Sequence, residues 1–181
     1  MSKLAKISLI LLSIFLIFCA TLICMFFCSF KTDYKNTVEI YSKQNNISSS
    51  LVFSIIKAES KFDKNAKSSA NALGLMQLKL STANYMASIL GDEQIVQEDL
   101  FVPEINIKYG TKYISYLIKK FGNLQTSICA YNAGETIVTS WLKDPQYSDD
   151  GVTLKKIPYA ETDKYLKKVN FNLSIYQKII K

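Results

Sequence analysis

Glu59 is the residue in this sequence whose type and spacing are best suited to proton transfer. Val52, Ile55 and Ile56 precede it at helical spacing, so on a helix its carboxyl group lies on the apolar face. Removal from water penalises a carboxylate, which raises the pKa and favours a general acid near neutral pH. The same spacing also suits a carboxylate at the edge of the stripe that pairs with a lysine such as Lys57, so both interpretations stay open.

Composition restricts the chemistry that could accompany this acid. The 181 residues contain no histidine, which excludes Ser-His-Asp and Cys-His triads and every histidine-based metal site. Of the four cysteines only Cys129 lies outside an apolar N-terminal run, so it has no disulfide partner within the soluble part and no histidine to activate it. We expect Cys129 to be a small core residue.

The charge distribution bears on the class of partner. The formal net charge is +7, and all 22 basic residues are lysine. Arginine is the usual side chain for bidentate recognition of bases and phosphates, so its absence argues against nucleic-acid binding. A lysine excess suits an anionic membrane or cell-wall polymer, and it equally suits simple solubility.

Residues 7–30 form an uncharged, apolar segment. A helix of this length would extend about 36 Å, enough to cross the hydrocarbon core of a bilayer. The only cluster of small residues, at 19–21, is followed by more apolar residues, which favours an uncleaved anchor over a signal peptide. Lys3 and Lys6 predict that residues 1–6 are cytoplasmic and that residues 31–181 lie outside the membrane. A lipoprotein is the alternative, although no cysteine follows the small residues that such processing prefers.

The rest of the sequence follows the helical period, with few proline or glycine residues and no sustained alternation. We therefore expect one all-α domain. The pattern predicts helices over 34–44, after a cap at Ser48, over 73–90 in two short pieces, over 103–121 and 124–133, around Ile137, Val138 and Trp141, and from 159 to the C-terminus, with a turn at 149–151. The helix that follows Ser48 should carry Leu51, Val52, Ile55 and Ile56 inward.

Several short motifs surround Glu59 in a fixed order. The chain reads Ala-Glu-Ser-Lys-Phe at 58–62, Ala-Leu-Gly-Leu-Met-Gln-Leu at 72–78, Ala-Tyr-Asn-Ala-Gly at 130–134 and Glu-Thr at 161–162. Over residues 34–178 this series resembles the catalytic domain of lytic transglycosylases of the soluble type, which are related to goose-type lysozyme. The resemblance implies a compact, lysozyme-like helical domain, here preceded by a single transmembrane helix.

The resemblance also implies roles for individual residues. Glu59 matches the catalytic residue of the family, and five other positions match groups that line the substrate cleft. Three of the five also have a structural interpretation: Tyr131 suits a core, Gln77 a turn, and Glu161 a helix N-terminus. The implied substrate-binding residues are Ser68, Gln77, Tyr131, Asn132 and Glu161.

Three departures from the family pattern affect detail. Lys79-Leu80 replaces the usual Met-Pro, so we expect one sugar subsite to differ. Asn71 stands where glycine is common, and asparagine tolerates a positive φ angle. Val102 replaces the aspartate before Pro103, which removes a helix cap worth about 1 kcal/mol.

The implied reaction uses one carboxyl group, whereas most glycosidases use two. Glu59 would protonate the oxygen between N-acetylmuramic acid and N-acetylglucosamine, then accept a proton from the muramic C6 hydroxyl, which closes onto C1 as a 1,6-anhydro sugar. Such a reaction on bacterial peptidoglycan needs no metal or cofactor. The alternatives are a hydrolytic muramidase on the same scaffold and an inactive, membrane-tethered module that binds the cell wall.

Overall fold

A computed structural model describes the backbone of residues 3–180 and the side chains of residue 7 and residues 10–180. The chain divides into two compact units, residues 1–32 and residues 33–181, and each unit is described by itself. The expectation that Lys3 and Lys6 flank the apolar segment concerns side chains outside the described residues.

The first unit contains a single helix, α1, over Lys3–Cys28. Within it, Ile10–Cys28 has a mean hydropathy of 2.9 and is the one described segment long and apolar enough to cross a membrane. The helix ends two residues earlier than the predicted segment, because Ser29 and Phe30 form a turn. That α1 lies in a membrane stays a prediction.

The second unit is all-α, as predicted, and its residues up to Ile180 contain no strand. Most helices begin and end within one or two residues of the sequence prediction. They are α2 (Lys35–Asn45), α3 (Ser49–Glu59), α4 (Leu80–Leu90), a 3₁₀ helix (Gln97–Phe101), α5 (Pro103–Phe121), α6 (Leu124–Ala133), α7 (Glu135–Leu142) and α8 (Ala160–Ile179).

Local sequence signals explain these boundaries. The Ser48 side chain accepts a hydrogen bond from the Leu51 amide at 3.3 Å and caps α3 as predicted. Pro103 is the first residue of α5, and Gly122 ends that helix with a left-handed φ of 65°. Val102 contributes no side-chain cap, in agreement with the expected loss.

Helix α3 lies at the centre of the domain. Its residues from Ser50 to Ile56 are all buried, and the helix packs along α8 and against α2. The Phe53 ring stacks on Tyr176 of α8 with a centroid separation of 5.4 Å. Because α3 is enclosed in this way, its last residue, Glu59, is held in a fixed place relative to α8.

The prediction of two helical pieces over residues 73–90 was wrong for the first piece. Leu73 and Leu78 instead exchange backbone hydrogen bonds of 2.9 and 3.0 Å across a tight turn. The φ angles of Gly74 and Gln77 are 72° and 49°, which a right-handed helix does not allow. The apolar residues that suggested a helix are buried within this turn, so burial rather than helical period explains the pattern.

A buried asparagine attaches this turn to α5. The Asn106 amide nitrogen donates to the Leu73 and Leu100 carbonyls at 2.9 Å, and its oxygen accepts from the Met76 amide at 2.8 Å. A β-carbon on Gly74 would lie 2.4 Å from the Asn106 amide nitrogen, so glycine is required there. These contacts fix the backbone of the turn that carries Gln77.

Candidate active site

One cleft of about 430 Å³ opens on the second unit, and Glu59 lies in its wall. All six residues singled out in the sequence surround it, although their roles remain predictions. The lining consists of Glu59, Ser68, Ser69, Ala70, Ala72, Gln77, Leu78, Lys79, Thr82, Tyr113, Tyr131, Asn132, Ala133, Gly134 and Glu161.

Glu59 ends α3 and is fixed from the side of α8. The hydroxyl of Tyr165, a residue of α8 that is 8% exposed, donates to Glu59 Oε1 at 2.7 Å. Lys168 lies one turn further along α8 and donates to the carbonyl of Ala58. The carboxyl group is therefore oriented by a buried donor, while the peptide bond before it is held by a lysine.

The environment of Glu59 favours the protonated acid. Burial raises the pKa of this carboxyl from 4.5 to about 7, against the hydrogen bond from Tyr165 and the charge of Lys168, which lower it. The negative charge of Glu161 raises the pKa further. The direction agrees with the sequence interpretation of an acid on an apolar helix face. Both protonation states of Glu59 are therefore accessible near neutral pH.

Tyr131 joins the opposite walls of the cleft. Its side chain is 9% exposed, and its hydroxyl donates to the Met76 carbonyl at 2.8 Å. The hydroxyl thus holds the 73–78 turn, while the ring lines the cleft. Burial and the nearby Glu59 raise the pKa of Tyr131 well above its ordinary value, so this hydroxyl remains a donor at neutral pH.

Ser68 and Gln77 belong to the loop that forms the second wall. Ser68 Oγ accepts from the Ala72 amide at 3.1 Å. The Gln77 amide nitrogen donates to the carbonyls of Ala66 and Gly74 at 3.1 and 3.0 Å. Both side chains therefore stabilise the loop, and the Gln77 carbonyl oxygen is the part of its amide that a ligand could use. Asn71 adopts a φ of 58°, so it supports the turn where glycine is common.

Asn132 and Glu161 complete the cleft from α6 and α8. Thr162 Oγ1 donates to Asn132 Oδ1 at 2.8 Å, which couples the two helices. That bond leaves the Asn132 amide nitrogen as a group that can donate to a ligand. Glu161 lies exposed in the first turn of α8, where the helix dipole favours a negative charge.

Three residues that act on the site were assigned no role in the sequence analysis. Tyr165 and Lys168 follow Glu161 by four and seven residues, so the helical period of α8 places them on the same face as that cleft residue. This period was the signal that could have identified them. Tyr113 lines the cleft beside Tyr131, with ring centroids 5.3 Å apart.

No group of three or more cysteine, aspartate or glutamate residues that could hold a metal occurs among the described residues. The cleft lining itself offers the Glu59 carboxyl group, whose pKa burial raises to about 7, with hydroxyl and amide groups around it.

Comparison with known proteins identifies what this arrangement is similar to. Residues 36–152 match the family model described as the transglycosylase SLT domain. The chain is 36% identical over 145 residues to the soluble lytic murein transglycosylase of Escherichia coli K12, covering 77% of this chain and 22% of that protein. It is 39% identical over 99 residues to the membrane-bound lytic murein transglycosylase E of Buchnera aphidicola from Acyrthosiphon pisum, covering 51% of this chain and 44% of that protein.

A solved structure shares the fold. The structure of an inactive mutant of the lytic transglycosylase Slt from Pseudomonas aeruginosa superimposes with a TM-score of 0.74 at 34% sequence identity. The match covers 83% of this chain and 25% of that one. The chain thus spans about a quarter or less of the soluble relatives it matches.

Two neighbours of Glu59, Tyr165 and Lys168, lower its pKa, and a third, Glu161, raises it. These effects can be measured. Tyr165→Phe and Lys168→Gln should each raise the Glu59 pKa above about 7, because each removes a group that stabilises the carboxylate. Glu161→Gln should lower it, because it removes a neighbouring negative charge. The measurement is a carbon-13 NMR titration of glutamate carboxyl groups, with Glu59 assigned by its loss in Glu59→Gln.

Tyr159→Phe is the matched control for Tyr165→Phe. Tyr159 immediately precedes α8 and contacts Trp141 at a centroid distance of 4.9 Å. Its variant should leave the Glu59 titration in place. A Glu59 pKa that falls in Tyr165→Phe, or that rises in Glu161→Gln, would contradict the electrostatic description of the site.

Proposed function

The chain belongs to the transglycosylase SLT domain family, and from this premise we propose that it cleaves the glycan strands of bacterial peptidoglycan as a lytic transglycosylase. The observation that carries the proposal is the Glu59 carboxyl group, which has a pKa of about 7 in a cleft large enough to bind a substrate. The bond attacked is the β-1,4 linkage between N-acetylmuramic acid and N-acetylglucosamine.

Protonation of the leaving oxygen is the first step that the geometry supports. A carboxyl group with a pKa of about 7 can hold a proton near neutral pH, which is well matched to general acid catalysis. As the bond breaks, positive charge develops at C1 of the muramic sugar. The substrate's own acetamido oxygen would stabilise that charge, which removes the need for a second catalytic carboxylate.

Proton acceptance is the second step. Glu59, now a carboxylate, receives the hydrogen bond of Tyr165 and the nearby positive charge of Lys168, and both stabilise this form. It would accept the proton of the muramic C6 hydroxyl, whose oxygen then bonds to C1. The products are two fragments, one that ends in a free N-acetylglucosamine 4-hydroxyl and one that ends in a 1,6-anhydromuramic residue, so no water is consumed.

The cleft offers polar groups that suit an N-acetylated sugar. The Gln77 carbonyl oxygen and the Asn132 amide nitrogen provide an acceptor and a donor. Ser68 lines the same wall and would face the acetamido group. Lys79 adds a positive charge at the cleft edge and stands where the family usually has methionine. These residues would position the sugar so that its glycosidic oxygen faces Glu59.

A muramidase on the same scaffold would use the same first step. Water, activated by the Glu59 carboxylate, would then attack C1 instead of the C6 hydroxyl. The two reactions differ in their products, since hydrolysis adds one water to the muramic end. An inactive wall-binding module would bind the same glycan and release nothing. Peptidoglycan digestion therefore separates all three possibilities.

The N-terminal helix supports a proposal about location. Residues 7–30 would anchor the protein in the cell membrane as a single span, with residues 1–6 in the cytoplasm and residues 31–181 on the outer side, where peptidoglycan is found. The length and hydropathy of Ile10–Cys28 support this, as does the similarity to a relative named membrane-bound. An enzyme held in this way acts on wall close to the membrane.

Digestion of purified peptidoglycan sacculi tests the catalytic proposal. The full chain in detergent should release muropeptides whose muramic end is lighter by one water than the hydrolytic product. Glu59→Gln should slow release at least about a hundredfold, because the general acid is lost. Products are identified by mass spectrometry, and Glu39→Gln, which changes an exposed acid of α2 outside the cleft lining, serves as the matched control. Exclusively hydrated ends would favour the muramidase, and unchanged activity of Glu59→Gln would exclude the assignment of the acid.

Alkaline extraction and protease accessibility test the anchor. In spheroplasts that carry the wild-type protein, protease added from outside should digest residues 31–181. The protein should stay in the membrane fraction after an alkaline wash. A Leu16→Lys, Ile17→Lys double variant should weaken retention, because charges at a helix centre cost about 3 kcal/mol each. Full release of the wild-type protein by alkaline wash, or protection of residues 31–181 in intact spheroplasts, would contradict the proposed anchor or its orientation.

A further inference from the structure

A row of four tyrosines leads from the cleft to the surface. Tyr131 and Tyr113 line the cleft, with ring centroids 5.3 Å apart. Tyr116 stacks on Tyr113 at 6.5 Å, and Tyr85 meets Tyr116 edge to face at 5.7 Å. We call these four residues the tyrosine row. It begins beside Glu59 and ends at Tyr85, which is 49% exposed.

The row follows from the helical periods of two packed helices. On α4, Thr82 lines the cleft and Tyr85 follows three residues later, on the same face. On α5, Tyr113 lines the cleft and Tyr116 also follows three residues later. On each helix, one turn therefore separates a residue of the cleft lining from a residue of the row. The row thus continues the wall of the cleft.

The outer end of the row is not part of the core. The buried residues of α4 are Ala83, Met86 and Ala87, and Tyr85 lies on another side of the helix. A single exposed aromatic residue needs no explanation. The exposed Tyr85 ring continues a line of rings that leads out of the cleft. A ligand longer than the cleft would contact this surface.

Polar groups accompany the rings at the middle of the row. The Tyr116 hydroxyl donates to Glu135 Oε1 at 3.3 Å, and Lys120 pairs with the same carboxylate. Lys120 Nζ lies 6.0 Å from the centre of the Tyr116 ring. Flat apolar rings bordered by hydroxyl, carboxylate and ammonium groups match a pyranose sugar, which has an apolar face of C–H groups and a rim of hydroxyls.

We propose that the tyrosine row binds the part of an N-acetylated β-1,4-glycan strand that extends beyond the cleft. Successive sugars would pack on Tyr113, Tyr116 and Tyr85, with Glu135 and Lys120 available to their hydroxyl groups. The inference rests on the proposed function, since the occupant is the polymer whose bond Glu59 is proposed to cleave. The row would make binding depend on glycan length and would hold a long strand after one sugar pair has entered the cleft.

Binding of short glycans to an inactive protein tests the row. The probes are β-1,4-linked N-acetylglucosamine oligomers of two to six sugars, titrated calorimetrically into full-length Glu59→Gln in detergent. Affinity should increase with length. Adding Tyr85→Ala should weaken binding of the six-sugar oligomer about fivefold, the loss of about 1 kcal/mol of ring contact, and leave that of the two-sugar oligomer within about twofold.

Two further variants identify the cause of any loss. Tyr85→Phe keeps the ring and should retain the affinity for the six-sugar oligomer. Phe171→Ala removes an aromatic side chain of similar exposure, 53%, from α8 and outside the cleft lining, and it should change neither affinity. Tyr85→Ala should melt within a few degrees of its parent, because the side chain removed is half exposed and its ring contact with Tyr116 is worth about 1 kcal/mol.

Several outcomes would overturn the inference. One is that Tyr85→Ala loses affinity equally for short and long oligomers, or loses none for either. Another is that Phe171→Ala shows the same loss of affinity, and a third is that Glu59→Gln binds no oligomer. The proposed function fails separately: wild-type protein that releases no fragments from sacculi would contradict catalysis, even where the length dependence and the Tyr85 effect are found.

Discussion

The hydrogen bond from Tyr165 to Glu59 joins the two helices on which this site depends. Helix α3 is buried nearly all round, and α8 packs along its length, so the last residue of α3 meets a fixed partner. Burial raises the pKa of the Glu59 carboxyl group, whereas Tyr165 and Lys168 lower it by stabilising the carboxylate. The result is a pKa of about 7, at which both protonation states of Glu59 are populated. A group that must first give and then accept a proton requires this balance.

The opposite wall of the cleft is held by polar contacts to backbone. Asn106 binds the 73–78 turn from α5, and Tyr131 binds the same turn from α6. Three of the backbone groups that these side chains satisfy would otherwise be buried without partners, which costs about 1–3 kcal/mol each. This wall of the cleft is thus rigid although its 73–78 turn contains no regular helix or strand. Rigid placement of weakly interacting polar groups is what allows a loop to position a sugar.

The sequence was most informative where local chemistry determines structure. Ser48, Pro103 and Gly122 mark helix ends, and the structure confirms all three. The apolar stripe before Glu59 predicted the direction of its pKa. The turn at 73–78 was misassigned, because its buried leucines repeat at helical spacing and the deciding contact, with Asn106, comes from 30 residues away. Tyr165 was given no role for a related reason: its partner lies 106 residues away, and only the packing of α3 on α8 brings the two together.

The central claim is that folding places Glu59 where it retains a proton at neutral pH, and the pH dependence of stability tests this directly. The folded pKa of about 7 exceeds the unfolded value of about 4.5, so the folded state binds the proton more tightly. The stability associated with this proton is complete below about pH 4.5 and is lost as pH rises through about 7. The measurement is the free energy of unfolding of the wild type and of Glu59→Gln, followed by the fluorescence of Trp141 from pH 4 to pH 8. The account predicts similar values at the acid end and a Glu59→Gln variant more stable by up to about 3 kcal/mol at pH 8. A difference that stays constant with pH, or a wild type that gains stability relative to the variant as pH rises, would contradict it.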